Sequence, residues 1–154
     1  MGIFDGVNAS ASALTAQRLR MDVTAANMAN AQSTRGRLVN GEWEPYRRKM
    51  VSFTPANPTF SSSLKRAQAE KGTAAHGGGV RVHRIVEDQS PFKQLYDPEH
   101  PDADANGFVQ LPNVDPLKEM VNMMNATRSY EANVTAMNAS KNMLLKALEI
   151  GRGQ

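Results

Sequence analysis

Hydrophobic and polar positions follow a helical rhythm at both ends of this chain and lose it between them. From about Phe4 to Ala31, Val7, Ala11, Leu14, Arg18, Met21, Ala25 and Met28 recur at alternating spacings of four and three. That spacing places them on one helical stripe, broken only by Arg18. The stripe is narrow and built largely of small residues, so this helix needs a partner to be stable. The second rhythm is longer. Met120, Met123, Thr127, Tyr130, Val134, Met137, Lys141, Leu144 and Leu148 follow at spacings of three and four, a coiled-coil-like seam. Asp115-Pro116 opens this helix, with Asp as N-cap and Pro at the first helical position. Glu119 sits in the first turn, where the helix dipole favours an acid, and Gly151 marks the stop. At about 1.5 Å per residue, Pro116 to Ile150 spans roughly 50 Å.

Between the helices the pattern is short and broken. Gly36, Asn40-Gly41, Pro45, Pro55 and Pro58 favour turns. Tyr46–Phe53 and Val80–Val86 read as strands. Ser61–Gly79 reads as a polar, Gly-rich loop, with a helical turn or two over Lys65–Lys71. Pro91–Pro116 carries five prolines and reads as extended or turned. The expected fold is α+β. Long terminal helices pair as a coiled-coil-like hairpin over 1–33 and 113–154, and residues 34–112 form a small, partly β, loop-rich domain.

Composition narrows the function classes. The 154 residues include no Cys, which excludes disulfides, thiolate metal sites and a Cys nucleophile. No run of about 18 apolar residues is present to span a membrane. The N-terminus lacks a basic region followed by an apolar run, so no cleaved Sec signal is expected. Nine Met residues suit irregular, adaptable contact surfaces. Net charge is +3, but Arg35–Arg84 holds ten basic and three acidic residues, whereas Glu87–Glu119 holds eight acidic and two basic. A nucleic-acid binder keeps its basic stripe free of such a counterpart. The two blocks suit mutual contact instead, within a chain or between subunits. Candidate intersubunit patches are Arg47, Arg48 and Lys49 against Asp97, Glu99, Asp102 and Asp104.

Chemistry is sparse. His76, His83 and His100 lack the spacing of a metal pair. The Asp97–Asp104 cluster lacks the positioned Gly and terminal Glu of a calcium loop, and prolines interrupt it. Gly77–Gly79 is followed by no Lys-Ser or Lys-Thr, so it is no phosphate loop. No catalytic residue, cofactor, metal or small-molecule substrate is expected. The second helix carries Asn122, Asn125, Asn133, Asn138 and Asn142 with several Ala residues, where solvated helices use Glu, Lys and Arg. Such small, uncharged faces suit contacts in an assembly.

The terminal segments resemble the axial proteins of the bacterial flagellum. Ala26-Asn27-Met28-Ala29-Asn30-Ala31 with Ser33-Thr34 is similar to the Asn-x-Ala-Asn signature of rod and hook subunits. His100-Pro101-Asp102, Asn106-Gly107-Phe108-Val109, Leu111-Pro112-Asn113-Val114-Asp115 and Arg128-Ser129-Tyr130-Glu131-Ala132-Asn133 resemble the proximal-rod members of that family, as does Pro45-Tyr46-Arg47-Arg48-Lys49. The resemblance implies a structural subunit of the proximal rod, whose terminal helices form the inner layer of a helical tube. Its partners are copies of itself and other rod proteins. It implies passage through the flagellar type III export apparatus without a cleaved signal, into a rod that crosses the periplasm. The implied assembly interface comprises Leu14, Met21, Asn27, Met28 and Asn30 on the first helix. On the second it comprises Met120, Met123, Tyr130, Asn133, Val134, Met137, Leu144 and Leu148. Periodicity by itself also admits a soluble coiled-coil adaptor or export chaperone.

Overall fold

A computed structural model describes residues 3–56, 78–151 and 153. Most of the polar loop expected from Ser61, and the helical turn expected over Lys65–Lys71, lie outside the described residues. The elements run α1 (Ile3–Ala29), β1 (Arg37–Val39), β2 (Glu42–Glu44), β3 (Lys49–Pro55), β4 (Val80–Glu87), β5 (Lys93–Tyr96), β6 (Phe108–Leu111) and α2 (Pro116–Gly151). The class is α+β, and the described residues form two long terminal helices and three separate two-stranded sheets, β1-β2, β3-β4 and β5-β6.

Each strand pair follows from local chemistry. Asn40 and Gly41 have φ of 54° and 91°, the doubly positive pair that a type I′ hairpin turn needs. They join β1 to β2, with Arg37 opposite Glu44, Leu38 opposite Trp43 and Val39 opposite Glu42. Backbone bonds bracket the β3-β4 pair at its two ends, from Asp88 N to Arg48 O (2.8 Å) and from Ala56 N to Gly79 O (3.0 Å). The β5-β6 hairpin falls inside the proline-rich stretch expected to be extended or turned. Pro91, Pro98, Pro101 and Pro112 all lie outside its two four-residue strands. Proline forbids ladder positions, not the gaps between them. Tyr96 and Phe108 pack edge to face at 5.3 Å across this hairpin.

The chain divides into two compact units, and each takes a length of both helices. One comprises Leu19–Ser52 with Arg84–Thr127. Its core is small: Val23, Val109, Val114, Pro112 and Ala126 are buried, and Pro45 with them. The other comprises Met1–Arg18, Phe53–His83 and Arg128–Gln154. Among the described residues there, Ser10 and Ala16 are buried. Ser12 Oγ donates to Ala9 O (2.7 Å) and accepts from Val80 N (3.1 Å), which ties the first turns of α1 to the start of β4.

On α1 the inward face differs from the hydrophobic stripe of the sequence, whereas on α2 it shares Met123, Thr127, Tyr130, Val134, Met137 and Leu144 with the expected seam. On α1 the buried side chains are Ser10, Ala16, Val23, Thr24 and Asn27, while Ala11, Arg18, Ala25 and Met28 are exposed. On α2 Glu119, Met123, Ala126, Tyr130, Asn133, Met137, Ser140 and Leu144 are protected at spacings of four and three, with Asn122, Thr127, Ser129 and Val134 half-buried beside them. Met120, Lys141 and Leu148, members of the expected seam, are exposed. Small size selects the inner faces as much as apolarity does, because Ala and Ser let backbones approach closely.

Candidate functional site

The best-defined constellation lies in the unit formed by residues 19–52 and 84–127, where the end of α1 meets the start of α2. It begins with Asn27, which is 1% exposed. An Asn side chain offers two donor and two acceptor positions, and all four are used. Nδ2 donates to Lys49 O (2.8 Å) and to Glu119 Oε2 (2.9 Å). Oδ1 accepts from Lys49 N (2.9 Å) and from Tyr46 OH (3.0 Å). Asn27 therefore pairs with the Lys49 backbone as a second strand would, and fixes the entry to β3 against α1.

Glu119 is equally buried, at 1% exposed. Its Oε1 accepts from Arg48 Nε (2.9 Å), from Arg48 Nη2 (2.7 Å) and from Asn122 Nδ2 (3.2 Å). Arg48 reaches on to Asp88 Oδ2 at 3.3 Å. Its backbone N donates to Asn113 Oδ1 (2.8 Å), and Asn113 Nδ2 donates to Asp88 O and Ser90 O. Burial works against the Arg48 charge, yet the bonds to Glu119 and Asp88 raise its pKa above the ordinary value. Burial, with the nearby Glu119 and Glu87, raises Tyr46. Bonds from the Ser90 hydroxyl and amide hold Asp88 below the usual carboxylate range, with Arg48 adding to them. A buried charge survives only when paired and hydrogen-bonded, and this cluster meets both conditions.

A second tie joins the segment after α1 to the β5-β6 loop. Asp102 accepts from Thr34 Oγ1 (2.8 Å) and from the Arg35 guanidinium, and Arg35 chiefly holds its carboxyl below the ordinary value. Asp115 Oδ1 accepts from Leu117 N (3.1 Å), so Asp115 caps α2 as its sequence position implies. Asn30 likewise stays near its own helix, donating to Ala26 O and accepting from Ser33 Oγ.

These contacts engage within the chain three residues expected at interfaces. Asn27, expected at the assembly interface, has no side-chain capacity left for a neighbour. Arg48 and Asp102, expected in intersubunit charge patches, are neutralised inside the chain. Arg47 stacks its guanidinium 4.5 Å from the centre of the Phe92 ring, and Lys49 lies 5.4 Å from that of Tyr46. Glu99 and Asp104 are exposed, and Asp97 Oδ1 caps the Glu99 amide. Leu14, Met21, Met123, Tyr130, Asn133, Val134, Met137 and Leu144 are half-buried, whereas Met28, Met120 and Leu148 stand exposed. Thr127 Oγ1 lies 3.5 Å from Met21 Sδ, so α1 and α2 touch there. In the other unit a methyl group added at Gly6 would stand 3.9 Å from Ser140 Oγ. Among the described residues no group of three or more His, Asp or Glu side chains is arranged to hold a metal ion, and no helix is long and apolar enough to cross a membrane.

Residues 8–36 match the family described as flagella basal body rod protein, and residues 105–150 match flagellar basal body rod FlgEFG protein C-terminal. These spans contain α1 from its second turn and nearly all of α2. The chain is 60% identical to the flagellar basal-body rod protein FlgC of Bacillus subtilis, over 99% of this chain and 100% of that protein. It is 43% identical to FlgC of Borreliella burgdorferi, over 99% and 100%. The chain belongs to the FlgC family of flagellar basal-body rod proteins. FlgC of Escherichia coli O157:H7 is also 43% identical, over 99% of this chain and 98% of its own. FlgC proteins are structural rather than enzymatic, and membership favours the rod subunit over the coiled-coil adaptor. Within this FlgC-family chain, the Asn27–Glu119–Arg48 cluster joins the two regions that the family matches pick out.

Proposed function

We propose that this chain is a structural subunit of the proximal flagellar rod and polymerises through paired terminal helices. The observation that carries the reading is the coincidence of the two family regions with α1 and α2. The Thr127–Met21 approach supports helix pairing. Residues 1–33 and 113–154 act as the assembly domain, and 34–112 as an outer domain. Partners are copies of this chain and other rod proteins. The chain reaches the periplasm-spanning rod through the flagellar export apparatus, without a cleaved signal.

The seam Leu14–Met21–Met28 against Met123–Tyr130–Met137–Leu144 is the working interface, with Met120, Asn133, Val134 and Leu148 beside it. Asp at Tyr130 or Met137 places a charge on a half-buried face, where desolvation opposes it. Either substitution, in a strain lacking its own copy, is expected to abolish swimming while leaving the protein synthesised. Normal motility with Asp at both positions would remove the seam from the assembly.

A further inference from the structure

We propose that the Leu38–Trp43 face of the β1-β2 hairpin, together with the acidic hollow beside it, docks the exposed face of β4 on a second copy of this chain. This rests on the reading of the chain as a self-assembling rod subunit. Leu38 and Trp43 are cross-strand partners, and each is 56% exposed. Trp43 is the only Trp in the chain. A large aromatic paired with Leu on one face of a two-stranded sheet, both more than half exposed, is the composition of an interface centre.

The hollow beside this face has a volume of about 540 Å³ and is lined by Trp43 with Glu42, Glu44, Asp102 and Asp104. Among the described residues no Lys, Arg or His lines it. Arg37 answers Glu44 and Arg35 answers Asp102. Among the described residues the Glu42 and Asp104 side chains have no such counterpart. The site therefore asks for a cation beside an apolar group, and an indole face adds its own attraction for a guanidinium.

The chain supplies that complement elsewhere. Alternate residues of a strand share a face, so Arg81, His83 and Ile85 stand together on β4. All three are exposed, Ile85 at 47%, and Arg81 has no acidic partner among the described residues. Ile85 matches Leu38 and Trp43, and Arg81 matches Glu42 and Asp104. The patch expected from sequence, Arg47 to Lys49, is the poorer candidate because Arg48 is consumed by Glu119. Two different patches meeting make a heterologous contact, which repeats without closing on itself. An open helical rod requires such a contact.

Because the chain has no Cys, introduced thiols report the contact cleanly. A strain lacking its own copy is made to express Leu38→Cys and His83→Cys chains together, and basal bodies are oxidised and recovered. A disulfide between the two kinds of chain is expected, with none in basal bodies built from either kind alone. In parallel, Arg81→Glu is expected to lower rod recovery about tenfold or more, and Glu42→Arg with Asp104→Arg in the same chain to restore it. Rods that form without the mixed disulfide overturn the docking. So does Arg81→Glu assembling at the normal yield, or a reversed pair that fails to restore it. Failure of the unaltered chain to enter basal bodies would instead overturn the rod-subunit reading on which the docking rests. The Cys variants keep all three docking charges, Arg81, Glu42 and Asp104, so they test the contact even if a charge-reversed chain misfolds.

Discussion

At the scale of single residues, stability concentrates in a few polar side chains. Replacing Asn27 with Ala leaves the Lys49 amide and carbonyl, the Tyr46 hydroxyl and one Glu119 oxygen without the partners they now have. Each buried orphan costs roughly 1–3 kcal/mol. Glu119→Ala strands the half-buried Arg48 and the Asn27 amide, and breaking such a pair costs about 3–5 kcal/mol. Both variants are expected to lower the midpoint of urea unfolding by more than Met143→Ala, since Met143 is exposed. Equal losses at the three positions would place the stability elsewhere. Acid acts on the same region. Asp88 is held below its ordinary pKa chiefly by Ser90, and Asp102 chiefly by Arg35. Their stabilisation is full above the unfolded Asp value of about 3.9. It is lost as pH falls through the lower folded values. Unfolding free energy is thus expected to fall on acidification below about pH 4, and less steeply in Ser90→Ala with Arg35→Gln. Periodicity could not find these roles. Asn27 lies off the hydrophobic stripe of its helix, and Lys49 and Glu119, which it bonds, lie 22 and 92 positions along the chain.

At the scale of elements, punctuation was more legible than packing. Asn40-Gly41 marks a two-residue hairpin on chemistry alone, and the structure forms it. Asp115-Pro116 marks the start of α2 for similarly local reasons. The helices themselves were legible from spacing, and so was much of the inner face of α2, but the inner face of α1 was not. Leu and Met drew much of the expected stripe, whereas Ala126, Asn27 and Glu119 sit deepest. Gly36 is a turn residue whose full reason appears only in three dimensions. Its amide donates to Glu44 O (2.8 Å), and a Cβ there would stand 2.5 Å from Tyr46 N and 2.6 Å from Tyr46 Cα. Those atoms are backbone and cannot turn aside. Gly36→Ala is therefore expected to push the Pro45–Tyr46 segment off its bonds and to cost about 1–3 kcal/mol. Gly41→Ala meets nothing within 4 Å and carries only the strain of its positive φ. Thermal unfolding of the pair reads the difference, and a larger loss at Gly41 would contradict close approach as the reason for Gly36.

At the scale of the whole molecule, order is unevenly distributed along two continuous helices. The buried residues of α2 are Glu119 and Ala126, both in its first third. From Lys141 to Gly151 every side chain but Leu144 is exposed. On α1, Val23, Thr24 and Asn27 are buried near its end, but Phe4 and Ala11 near its start are exposed. A helix with so little covered depends on an outside partner, because a narrow stripe cannot offset the entropy of ordering. Local opening free energies follow such differences in burial. In the dilute monomer, amide exchange is expected to be slowest around Val23–Asn27 and Glu119–Thr127. It should be fastest over Met143–Ile150 and the first turns of α1. Once the chain is in basal bodies, the fast regions should slow while the Asn27–Glu119 region changes least. Uniform protection along α2 in the monomer would mean that this helix is stable without neighbours. Its exposed Leu145, Leu148 and Ile150 would then need an explanation other than assembly.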